Sequence, residues 1–157
     1  MTIPQVGEFA PSVTLKNQHG QDISLDTFRG KKNLVVYFYP KALTPGCTTQ
    51  ACAIRDYRQE FAELDTEVVG ISPDAQPRLQ KFAEKYQLDF HLLSDVDHAV
   101  ADAFGVWGPK KFMGREYLGI IRTTFIIDKD GRLCYVMHRP NTKNHHNDVV
   151  SYIKENL

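Results

Sequence analysis

Apolar and polar residues alternate in "SVTLKNQHGQDISL" on both sides of the turn signal "NQHG", which predicts an N-terminal β-hairpin from about Val13 to Leu25 at a sheet edge. The next apolar run, "NLVVYFY", does not alternate, as expected of a strand buried on both faces beneath helices. From Pro45 to Leu64 the apolar residues Ala51, Ile54, Tyr57, Phe61 and Leu64 recur at steps of three and four, predicting one helix with a single buried face. A second buried strand, "EVVGIS", follows. In "AQPRLQKFAEKYQ", Pro77 fits a first helical turn, and Leu79, Phe82, Ala83 and Tyr86 form an inner stripe. "FHLLSD" then predicts a short strand and "DHAVADAFGV" a short helix that stops at Gly105.

The pattern fails over "WGPKKFMGREYLG", whose glycines and proline predict a loop of about thirteen residues. "IRTTFIIDKDGRLCYVMH" reads as two β-rich runs around the turn "DKDG", a second hairpin. The tail places Val149, Val150, Ile153 and Leu157 on one helical face, with Asn144 or Asn147 as candidate cap. Alternating βα units closed by a hairpin and a helix predict an α/β fold with a mixed sheet between helical layers. No repeat or linker divides the chain, so residues 1–157 are read as a single domain.

Charge narrows the partners. Lysine plus arginine balance aspartate plus glutamate at 19 each, which gives no net field toward nucleic acid or an anionic membrane. No apolar stretch approaches the roughly 18–20 residues that span a bilayer, and the start lacks the pattern of a secretory signal, so a cytoplasmic protein is expected. Its three cysteines are too few for a secreted disulfide scaffold, and any disulfide here should be transient.

Two of those cysteines lie in "YPKALTPGCTTQAC". Ligands of such sheets bind beyond the carboxyl ends of the parallel strands. "LVVYFY" delivers the chain to that edge, Pro40 to Pro45 make the turn, and Cys47 falls in the first turn of the following helix. Unpaired N–H groups and the helix dipole favour an anion there, hence the thiolate over the thiol. Pro45 stiffens the entry without costing a hydrogen bond, and Gly46 lets a small substrate approach the backbone. A buried structural cysteine behind a capping turn is the plainer reading; Thr44, whose hydroxyl can share the pocket, and the second thiol, Cys52, weigh against it. In an intact helix, residues five apart are about 8–9 Å apart and point about 140° away from each other. A disulfide needs Cα atoms within about 7 Å, so pairing of Cys47 with Cys52 requires the helix to unwind locally. Metal binding by the pair is the other functional reading, but no second "CxxC" appears and His91, the nearest histidine downstream, is far along the chain.

Here the chain resembles a known family, the peroxiredoxins. Pro40, Thr44 and Cys47 in "PKALTPGC" meet its proline, threonine and cysteine spacing, and "FAP", "VVGIS", "LLSD", "FGVWGPKKFMGREYLGIIRTTFIID" and "NHH" extend the likeness over nearly the whole chain. The subgroup is that of the bacterioferritin comigratory protein, or peroxiredoxin Q. The resemblance implies a thioredoxin-like fold, antioxidant defence and reduction of hydrogen peroxide and alkyl hydroperoxides. It also implies thioredoxin as reductant, a monomer, and no metal, haem or flavin. Carried over, Cys47 is the peroxidatic nucleophile, Cys52 the resolving thiol, Thr44 a hydroxyl that bonds peroxide and thiolate, and Pro40 a shield of the pocket. Arg122 matches the family's arginine at the opening of a late strand. An antiparallel strand begins where its parallel neighbours end, so Arg122 should face Cys47.

The other candidates read as structure. Arg55, Arg132 and Arg139 are taken as solvated charges, and Cys134 as a packing residue. His145 and His146 are placed at a helix start near the surface, and Gln50 either supports the site or faces solvent. Trp107, Phe112 and Met113 are read as packing of the long loop rather than an apolar wall. Two rival classes use similar parts. A thioredoxin-fold copper chaperone would carry three residues between its cysteines, a histidine ligand and a membrane anchor, and a disulfide reductase would carry "CxxC".

Overall fold

A strand with no polar alternation lies at the centre of the molecule. In the computed structural model, which describes residues 3–157, β3 (Asn33–Phe38) is buried along its whole length. Its side chains alternate between two cores. Val35 and Tyr37 face one; Leu34, Val36 and Phe38 face the other. Each such side chain contributes about 1.5–3 kcal/mol by leaving water, and this explains why the sequence shows no period of two.

The elements are β1 (Thr14–Lys16), β2 (Asp22–Ser24), β3, α1 (Pro45–Asp56), α2 (Arg58–Glu63), β4 (Thr66–Ser72), α3 (Gln76–Tyr86), β5 (His91–Ser94), α4 (Ala99–Ala103), β6 (Trp107–Phe112), β7 (Arg115–Ile120), β8 (Thr123–Ile127), β9 (Leu133–His138) and α5 (His145–Asn156), with a short 3-10 turn at Leu25–Phe28. Seven strands form one sheet in the order β2, β1, β5, β4, β3, β8, β9. The β3, β4 and β5 strands are parallel, while β8 and β9 on one side and β1 and β2 on the other are added through antiparallel pairings. The sheet is thus mixed, with the N-terminal hairpin at its edge, and helices cover it. Ala51 and Ile54 of α1, Leu79 and Phe82 of α3 and Val149, Val150 and Ile153 of α5 share one core; Val100 and Ala101 of α4 join the other.

Three expectations need correction. The segment read as a thirteen-residue loop is a hairpin, paired from Trp107↔Ile120 to Phe112↔Arg115. Its turn residues Met113 and Gly114 both have positive φ, 51° and 79°, the geometry that two-residue hairpin turns require. From Lys111 to Leu118 it is exposed on both faces. No apolar period could therefore have announced it. The helix predicted from Pro45 to Leu64 is two helices, broken at Tyr57, where φ is −100° and ψ 12°. Asn144 stands at the start of α5, but its side chain makes no capping bond.

Candidate active site

The parallel strand β3 and the antiparallel strand β8 meet in register at Phe38↔Thr123. The chain leaves β3 at this edge through Pro40 to enter α1, and it arrives at β8 through Arg122. This places Cys47, in the first turn of α1, beside Arg122. Cys47 is 1% exposed, and Arg122 Nη2 donates to its Sγ at 3.4 Å. A guanidinium held against a nearly buried sulfur at a helix N-terminus leaves further N–H groups to meet a second group beside the sulfur.

The turn that presents Cys47 is strained and held. Leu43 has φ of 68°, a left-handed conformation that a branched side chain resists. Its neighbour Ala42 is clamped at both backbone groups: its N–H donates to Asp74 Oδ2 at 2.7 Å, and its carbonyl accepts from Arg78 Nη2 at 2.8 Å. Asp74 is buried, accepts from Ser72 Oγ at 2.8 Å and pairs with Arg78 Nε at 3.1 Å. The loop is therefore fixed from α3 and from the turn that joins β4 to it, a connection with no sign near residue 42 in the sequence. Pro40 is half-buried beside this turn. Thr44 occupies the position before the helix, and its hydroxyl donates to Lys41 O at 2.7 Å, which leaves the oxygen's lone pairs as its outward chemistry. A methyl group on Gly46 would lie 3.6 Å from Arg122 Nη2, so the glycine keeps that face of the guanidinium open.

Behind Arg122 runs a buried polar chain. Arg122 Nη1 donates to Gln50 Oε1 at 2.7 Å, Gln50 Nε2 lies 3.1 Å from His145 Nδ1, and His145 Nε2 lies 2.7 Å from Thr124 Oγ1. Gln50, Thr124 and His145 are all buried. Burial, with His146 and Arg122 nearby, lowers the His145 imidazole to about 3, so the ring is neutral. The expectation of a surface histidine at this helix start was wrong, and Gln50 faces the site rather than solvent. A polar side chain one residue into a helix reads as exposed until the packing of that helix is known.

Cys52 lies further along the intact α1 and is not bonded to Cys47; all three cysteines are free thiols. Cys134 donates to Ile126 O at 3.1 Å, and burial together with Asp128 pushes its thiol up to about 11. It stays protonated, as a packing residue should. Arg55 is not the solvated charge expected of it: Nη1 donates to Tyr86 O at 2.6 Å, tying α1 to the end of α3. Arg132 and Arg139 are exposed, although the Arg139 N–H donates to Arg122 O at 2.9 Å.

Two clefts open around this centre. Arg122 and Arg139 line one with Lys110, Lys111, Glu116 and Ile121; Pro40, Thr44, Trp107 and Leu118 line part of the other. Lys110 borders both, and burial with the nearby Arg122 lowers its ammonium. Trp107 stacks on His98 with centroids 4.0 Å apart, whereas Phe112 and Met113 stand exposed at the hairpin tip and wall nothing. Among the described residues, no three His, Cys, Asp or Glu side chains gather as a metal site, and no helix is long and apolar enough to cross a membrane.

Comparison with known proteins places the chain. Residues 6–136 match the AhpC/TSA family. The Escherichia coli peroxiredoxin Bcp is 48% identical over 151 residues, 96% of each chain. The crystal structure of the Mycobacterium tuberculosis peroxidoxin BcpB superposes with a TM-score of 0.86 at 34% identity, covering 97% of both chains. A structure of the Xanthomonas campestris bacterioferritin comigratory protein, solved for its alkyl peroxide reduction activity, gives a TM-score of 0.86 at 31% identity over 91% of this chain and 90% of that one. The fold is therefore the thioredoxin-like fold of these proteins. The chaperone and reductase readings give way to a family whose members are thiol-dependent peroxidases. The chain belongs to the AhpC/TSA family and, within it, to the peroxiredoxins of the bacterioferritin comigratory protein group.

Proposed function

We propose that Cys47 is the peroxidatic nucleophile and Cys52 its resolving partner in a cycle recharged by thioredoxin. The observation that carries the reading is the 3.4 Å bond from Arg122 to a thiol held at the buried start of α1. The Cys47 thiolate attacks the terminal oxygen, the one that carries the hydrogen, of hydrogen peroxide or an alkyl hydroperoxide. The O–O bond breaks, and water or an alcohol leaves after its oxygen takes a proton. Charge grows on that oxygen during the step, where Arg122 and the first N–H groups of α1 oppose it, while the Thr44 oxygen, its own proton given to Lys41 O, accepts from the peroxide O–H. Pro40 shields the thiolate from bulk water. The relative studied for alkyl peroxide reduction supports the organic substrates.

Cys47 sulfenic acid then condenses with the Cys52 thiol, forming a disulfide and releasing water. Both residues lie in α1, about 8–9 Å apart as an intact helix sets them, so the first turns of α1 unwind in this step. The break at Tyr57 limits that unwinding to the twelve residues of α1. Thioredoxin restores both thiols by exchange. A cysteine pair within one helix makes a monomer sufficient, and three free thiols suit the reducing cytoplasm.

One equivalent of hydrogen peroxide should lower the free thiols from three to one per chain and weaken the helical circular dichroism signal. Cys52→Ser should keep its helical signal. Disulfide-linked dimers would assign Cys47 a partner in another chain, and an unchanged spectrum in the oxidised protein would contradict unwinding.

A further inference from the structure

Arg122 reaches Cys47 with one guanidinium nitrogen and Gln50 with the other, so whatever fixes Gln50 fixes the arginine. A primary amide has an accepting end and a donating end. Turned by 180°, Gln50 would set its NH2 group against a guanidinium that has only donors, and the 2.7 Å bond would be lost. No side-chain hydrogen bond within α1 holds the amide. The group that does stands on the last helix of the chain.

We propose that His145, in the first turn of α5, is a positioning residue. A bare Nδ1 accepts the Gln50 amide N–H, which sets the direction of the amide and thereby holds Arg122 on Cys47 Sγ. The donors run one way along the whole chain. Arg122 Nη1 donates to Gln50 Oε1, Gln50 Nε2 to His145 Nδ1, and His145 Nε2–H to Thr124 Oγ1, at 2.7, 3.1 and 2.7 Å. Thr124 lies on β8, two residues beyond Arg122, and pairs with Tyr37 of β3, whose ring centroid is 5.6 Å from that of His145. The imidazole is thus seated by the same two strands that set the position of Arg122. Its depressed affinity for a proton keeps Nδ1 bare near neutral pH.

The inference rests on Arg122 being the group that steadies Cys47, and its test separates the two. Nitrogen-15 spectra of the wild-type imidazole should show His145 protonated at Nε2 and unprotonated at Nδ1 at pH 7. In Gln50→Glu, whose carboxylate has acceptors at both ends, the proton should appear on Nδ1. Stopped-flow oxidation by hydrogen peroxide supplies the second reading. His145→Leu should slow Cys47 oxidation by about 10- to 100-fold, the cost of a misplaced group at a reacting centre, and His145→Asn, which keeps an acceptor near Nδ1, should recover most of it. In the Gln50→Glu background, where no amide direction remains to be set, His145→Leu should change the rate less than about twofold. A wild-type ring protonated at Nδ1, or an equal loss in both backgrounds, overturns the proposal. Full activity in Arg122→Leu would instead remove the reading on which it rests, without moving the wild-type spectrum.

Discussion

Cys47→Ser is expected to reduce peroxide turnover by more than about a thousandfold, the order of loss seen when an enzymatic nucleophile is removed. A serine hydroxyl fills nearly the same space at a position only 1% exposed, so the fold should survive. Its oxygen keeps its proton where a cysteine sulfur gives one up, and it lacks the thiolate's nucleophilicity. No other thiol replaces it. Cys52 points about 140° away around the helix axis, far from the guanidinium that serves Cys47, and Cys134 is held protonated in the sheet by a thiol pushed up to about 11. Peroxide-dependent oxidation of NADPH, coupled through thioredoxin and its reductase, measures the loss. A melting temperature within a few degrees of wild type shows that the loss is chemical. Undiminished turnover would mean that the reaction uses another nucleophile.

Arg122→Leu should cost about 10²- to 10³-fold in kcat/KM for peroxide, the usual effect of deleting one donor that meets charge growing in the transition state. The substitution also leaves Gln50 Oε1 without the partner it has at 2.7 Å, so thermal stability should fall as well, by about 1–3 kcal/mol for an unsatisfied buried acceptor. Arg122→Lys separates charge from geometry. A single ammonium cannot hold the planar fork that reaches Gln50 and Cys47 together, so lysine should recover less than about a tenth of the rate. Arg139→Leu is the control. It removes a neighbouring exposed cation that touches Arg122 only through its own backbone N–H, and it should change the rate less than about threefold. Equal losses from Arg122→Leu and Arg139→Leu would indicate a general electrostatic field in the cleft rather than a placed donor.

The features legible in the sequence were those set by local rules. A strand buried on both faces has no period of two, so "NLVVYF" announced the centre of the sheet. Prolines before a cysteine announced the start of a helix; the family likeness singled out Arg122, and its place at the opening of an antiparallel strand sets it beside Cys47, as expected. Features that depend on packing between distant segments were hidden. His145 is buried only because α5 lies over α1 and β8, and neither contact is written near residue 145. Asp74 and Arg78 clamp Ala42 from more than thirty residues away. The β6–β7 hairpin was missed for the opposite reason: most of its length packs on nothing, so only its turn residues carried a signal, and those read equally well as a loop.

If Cys47 is the peroxidatic nucleophile, its Sγ is the first atom oxidised. Cys52→Ser and Cys47→Ser, each exposed to one equivalent of hydrogen peroxide in the presence of dimedone and mapped by peptide mass spectrometry, test it directly. The expected result is a single sulfenic acid adduct on Cys47, approaching one per chain, in Cys52→Ser and none in Cys47→Ser. An adduct on Cys52 forming at a comparable rate in Cys47→Ser, or one on Cys134 in either variant, would contradict the account.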